Sequence, residues 1–190
     1  MSPSLLTPQI SYLVIQFVRS QLEDMVGPTG FGTLLSGSAS NYNFQPFQLS
    51  SSSTQISLFT GRYDKATLQA SGKIPNPLTY PIAVVSTFKD DTAGKEAMKV
   101  TPSTFSGSVL VGVDFHITYP AGSLPPDGEA GFHAVEEAFI GCFCQAGTYG
   151  LLPQGVLFNN ELMVEQMNME WSQSVWNQHI PCGLNFYVVQ

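Results

Sequence analysis

The chain has 190 residues, enough for one domain with a full hydrophobic core and short for two. Only 11% of it is charged, against a usual share of about 25%. Seven bases (Arg19, Arg62, Lys65, Lys73, Lys89, Lys95, Lys99) and six acids lie in residues 1–99, followed by eight acids and no Lys or Arg, so the second half cannot present a phosphate-binding or anionic-lipid-binding surface.

The first predicted element is a helix. Thr7 is placed to cap it and Pro8 to occupy its first position, where a missing N–H costs nothing. Ile10, Leu13, Val14, Phe17, Val18 and Leu22 then form one apolar stripe, and Gly27-Pro28 stops the helix. The stretch Ile10–Val18 is too short for a membrane span, and no segment reads as a signal peptide. Residues 29–54 are rich in Ser, Gly and Asn with interspersed aromatics (Phe31, Tyr42, Phe44, Phe47), a composition that predicts a loop insertion.

A short strand is expected over Gln55–Phe59, then a polar stretch with Arg62, Asp64, Lys65 and Lys73, and a turn at Pro75-Asn76-Pro77. Ile82–Phe88 is a compact β-branched run that reads as a buried strand, followed by a charged connection from Asp90 to Lys99. Phe105–Tyr119 alternates with period two over a length of about 50 Å if extended. Pro125-Pro126-Asp127-Gly128 introduces a second helix with Ala134, Val135, Ala138, Phe139, Cys142 and Phe143 on one face and Glu136 and Glu137 turned away. The C-terminal part reads as a hairpin: Leu162–Trp171, a loop through Asn177-Gln178-His179, and Gly183–Val189. The expected architecture is one α+β domain spanning 1–190, with two helices packed on one face of a mainly antiparallel sheet.

Several groupings could carry chemistry. Asp114 and His116 share a face of the long strand, as an acid–base pair or half a metal site, or simply as its solvent side. His133 with Glu136 and Glu137 matches neither HExxH nor HxxEH, so surface helix residues are the simpler reading. Cys142, Cys144, His179 and Cys182 supply the ligand types of a zinc site, but Cys-x-Cys on a helix points its thiols about 200° apart. An odd cysteine count without regular spacing does not read as a disulfide scaffold, so reduced, intracellular synthesis is expected. Glycine-rich phosphate loops, GxSxG elbows and nucleotide fingerprints do not occur. No catalytic, metal or cofactor site is therefore expected. Trp171 and Trp176, with Met163, Met167 and Met169, form either an apolar docking surface or core.

The order of elements resembles the lambda-type tail-terminator family of long-tailed bacteriophages. The resemblance rests on the helix Ile10–Leu22, the Pro-led strand Pro81–Val85, the long strand Ser108–Tyr119, the helix Phe132–Phe143, the Trp-containing segment and the terminal strand Leu184–Val189. The chain departs from it in being longer, with extra sequence at Ser36–Thr54 and Gly61–Thr79. The resemblance implies a virion protein made in the host bacterial cytoplasm. Such a protein is an α+β subunit of a ring, expected to be hexameric, stacked between the tail tube protein and a head-proximal connector or stopper protein. DNA would be met only in passage, with no membrane partner. Asp114, Glu161, Glu165 and Glu170 are the candidate channel acids; Tyr42, Phe44, Phe47, Arg62 and Lys65 are the candidate partner contacts. Competing readings are another neck or tail-completion protein, a virion surface or decoration module binding through Tyr42, Phe44 and Phe47, and a small hydrolase using His116 or His133.

Overall fold

The computed structural model describes residues 6–51, 57–60, 82–88, 99–100, 105–120, 129–145, 152, 156–165, 170–172 and 175–189. In chain order these form α1 (Leu6–Glu23), α2 (Phe31–Asn41), β1 (Leu58–Thr60), β2 (Ile82–Phe88), β3 (Lys99–Val100), β4 (Phe105–Pro120), α3 (Ala130–Cys144), β5 (Val156–Val164), β6 (Glu170–Ser172) and β7 (Val175–Val189). The class is α+β, as the alternation and the two amphipathic stripes predict. No described helix is long and apolar enough to cross a membrane.

The framework is the pairing of β4 with β7, antiparallel from Ser106 opposite Val189 to Pro120 opposite Val175. On one flank β2 pairs antiparallel with β4, and β1 pairs with β2 in parallel. On the other, β5 and β6 both pair antiparallel with β7, and β3 adds a short pairing to β4. The sheet is mainly antiparallel but mixed.

Because strand side chains alternate, this register gives each strand one of two faces. Val111, Val113, Phe115, Ile117 and Tyr119 of β4 share a face with Gln178, Ile180, Cys182, Leu184 and Phe186 of β7, and all ten are buried. The helices lie against this face. Phe17 of α1 meets Phe186 edge-on at 6.2 Å. Phe31 of α2 stacks on Phe115 at 5.2 Å, and Phe139 of α3 meets Phe115 edge-on at 6.0 Å. Phe115 is thus the residue on which two helices converge.

Three helices, not two, cover the sheet among the described residues, because the stretch expected to be a loop over 29–54 contains α2. Its composition is poor for a helix, yet Phe31, Leu35 and Ala39 recur at four-residue spacing and are buried. The serine hydroxyls find local acceptors: Ser36 donates to the Gly32 carbonyl at 2.9 Å and Ser40 to the Gly37 carbonyl at 2.7 Å. Asn43, in the left-handed region at φ 52°, ends the helix, and the Phe44 N–H bonds back to the Ala39 carbonyl at 2.9 Å. Gly32 leaves room for Met25, whose sulfur would have to move from a Cβ placed 2.0 Å away.

Other boundaries differ in smaller ways. Helix α1 begins at Leu6, so Pro8 falls within its first turn, where backbone N–H groups have no intrahelical acceptor. It ends at Glu23. The Asp24 carboxylate then accepts N–H bonds from Val26 and Gly27 at 2.9 and 2.8 Å, which hold its pKa below the ordinary value. Leu13, expected on the buried stripe, is exposed. Asn177-Gln178-His179 is not a loop but part of β7, paired with Thr118, Ile117 and His116. The turn at Pro75-Asn76-Pro77, most of the charged connection before Lys99, Arg62, Lys65, Met167 and Met169 lie outside the described residues.

Candidate functional site

The face of the sheet opposite the helices carries Asp114, His116 and Thr118 of β4 against His179 and Pro181 of β7. His116 and His179 are directly opposed, and their rings stack in parallel at 4.5 Å with an interplanar angle of 2°. His179 Nε2 lies 3.0 Å from Asp114 Oδ1. With the carboxylate as acceptor, Nε2 carries the proton and donates. The sequence places Asp114 beside His116; the fold adds His179, whose polar neighbours had suggested a loop.

This cluster is about one-third exposed. Its stacked rings do not converge on a common point, and among the described residues no three His, Cys, Asp or Glu side chains are placed to hold a metal ion. The candidate zinc ligands are likewise dispersed. Cys182 is buried on the helix-covered face, His179 sits on the other, Cys142 is buried and Cys144 is exposed. Burial pushes the Cys142 thiol up to about 12 and that of Cys182 well above its ordinary value, so neither is an available thiolate.

His133 lies 3.5 Å from Glu129 and 3.6 Å from Glu136, at one-turn spacings along and just before α3. Glu137 accepts from the Tyr42 hydroxyl. Glu136 and Glu137 are therefore tied to local partners in mid-helix rather than placed by the helix N-terminus, where Glu129 stands as the N-cap residue.

Of the candidate channel acids, Asp114 belongs to the histidine cluster. Glu165 is exposed and donates its N–H to the Pro181 carbonyl at 2.9 Å, on the β5 side of β7. Glu170 pairs in register with Asn177, and Glu161 lies where the register of β5 shifts between Phe158 and Leu162. The candidate partner aromatics lie elsewhere. Phe44 is only 7% exposed and meets Tyr119 edge-on at 6.3 Å; Phe47 is half-buried beside Phe31 and Phe115. Tyr42 is half-buried, with its ring 5.5 Å from that of His133. The loop expected to meet a partner through these rings instead closes the domain's own core. Trp171 and Trp176 pair across β6 and β7.

Exposed apolar residues also lie on β5 and β7. Leu157 and Tyr187, directly paired, are 58% and 36% exposed, and Met163, paired with Gly183, is 58% exposed. Met163 is among the residues that the sequence offers as docking surface or core, with Met167, Met169, Trp171 and Trp176, whereas Leu157 and Tyr187 are not. No protein-family model and no curated protein matches the chain.

Proposed function

We propose that this chain is a structural ring subunit at the neck of a tailed bacteriophage, closing the tail tube and joining it to the head-proximal connector while DNA passes. The observation that carries the reading is the combination of a sheet face that no described helix covers, bearing Asp114 with exposed Glu165 on the far side of β7 from it, and a second half without any Lys or Arg. A channel lined this way repels phosphate and does not grip the DNA it conducts. The order of elements supports the same assignment, and the dispersed thiols and non-converging histidines supply no reason to prefer an enzyme. The decoration reading loses support because Phe44 and Phe47 pack inward.

The test is negative-stain microscopy of the purified chain, alone and mixed with tail tubes. Rings with a central opening that sit on tube ends are expected. A protein that stays monomeric at high concentration and leaves tube ends bare overturns the proposal.

A further inference from the structure

The chain has three histidines, and two of them stack on each other. His116 and His179 stand opposed in register across the two longest strands, with ring centroids 4.5 Å apart and planes within 2° of parallel. Asp114 engages one ring of this pair, accepting from His179 Nε2 at 3.0 Å. That bond leaves His179 Nδ1 to receive a further proton, and the imidazolium so formed keeps the carboxylate as its counter-ion. A proton arriving on His116 then enters a ring that lies face to face with a cation.

Among the described residues, the other charged groups at register positions around the stack are acids. Glu165, after β5, bonds to the Pro181 backbone, and Glu170 of β6 is in register with Asn177, two residues from His179. Strand β2 places uncharged Ile82 and Val84 opposite His116 and Asp114. On the helix side of the sheet, burial holds the Tyr119 hydroxyl and the Cys182 thiol neutral. Asp114 therefore sets the order in which the rings charge, and repulsion across the stack separates the two steps.

We infer that His116 and His179 form a pH-sensitive clasp between β4 and β7, which accepts one positive charge, on His179, and loosens when His116 is charged as well. Two unit charges at this separation repel, even in bulk water, by enough to raise the proton concentration needed for the second step about fivefold. In the unfolded chain the rings are apart, so that chain takes the second proton more readily than the folded one. The clasp's contribution to stability is thus present at neutral pH and lost as the pH falls through the second step.

The test follows the imidazole resonances of the isotope-labelled full chain by NMR at low salt, from about pH 8 to about pH 4.5. His179 is expected to charge before His116. In His179→Gln, His116 should charge at about fivefold lower proton concentration. In Asp114→Asn, His179 should lose its lead. His133→Gln, which removes the histidine flanked by Glu129 and Glu136, should change neither ring. Urea-induced unfolding reads the consequence: across the second step the unaltered chain loses stability relative to His116→Gln. The inference is overturned if His116 charges with or ahead of His179, or if His179→Gln leaves the titration of His116 in place. An equal acid loss in His116→Gln also overturns it. Should His179→Gln fail to fold, Asp114→Asn decides, and an unchanged order of charging there sinks the clasp.

Discussion

The two faces of the β4–β7 pair are built from the same strands, yet they follow opposite rules. On the helix side Val111, Val113, Phe115, Ile180, Leu184 and Phe186 are almost fully buried. The polar exception is the pair formed by Tyr119 and Gln178, whose hydroxyl and amide oxygen meet at 2.9 Å. On the other side polar groups partner one another at partial exposure, and apolar ones at the β5 flank stand in solvent. The contrast teaches that the core built with the described helices gathers on one face, while the other combines buried Phe59 and Val84 at its β2 flank with exposed apolar groups at its β5 flank.

The sharpest way to break this comparison is to empty the helix side. Phe115→Ala removes the ring on which Phe31, Phe47 and Phe139 converge, and we expect a loss of about 3–5 kcal/mol in urea-induced unfolding. Gly131→Ala follows. A Cβ there would lie 2.0 Å from the Tyr119 hydroxyl oxygen and 2.7 Å from Gln178 Oε1. Accommodating it displaces a buried hydrogen-bonded pair, so a loss of about 2–3 kcal/mol is expected in the same experiment. Both values should exceed that of Leu157→Arg on the opposite face, expected within about 0.5 kcal/mol. Equal losses for all three would show that the two faces are not distinct in stability.

The helix-covered face was legible in the sequence because its signals agree. Period two in Phe105–Tyr119 and the Ala134–Phe143 stripe both mark residues that are buried in the fold. Helix α2 was not legible, because Ser36, Gly37, Ser38 and Ser40 have weak helical preference and tertiary packing of Phe31 and Leu35 decides the outcome. The same aromatics that suggested a displayed loop are what bind the segment to the core. The histidine cluster was half legible. Asp114 and His116 were adjacent by alternation, whereas His179 joins them through pairing across 63 positions of chain, which local composition cannot reveal. Polar Asn177, Gln178 and His179 suggested a turn, but Gln178 is 1% exposed with Tyr119 as its partner and His179 bonds to Asp114. Polarity signalled specific partners rather than a loop.

A coupling expected to be small bears most directly on the face opposite the helices. A double-mutant cycle on Asp114→Ala and His179→Ala isolates the coupling across their 3.0 Å contact. In the free chain both side chains are about one-third exposed, so water competes for each group and screens the charge. The coupling should be below about 1 kcal/mol in the dissociated protein, and smaller still in concentrated salt. The same cycle measured on the assembled protein distinguishes the faces further. If neighbours leave the middle of this sheet open to a water-filled channel, the coupling stays small. A coupling that rises above about 2 kcal/mol on assembly would mean that the pair has lost its solvent. The subunit contact would then cover the histidine cluster, and the acids around it could not line a passage for DNA.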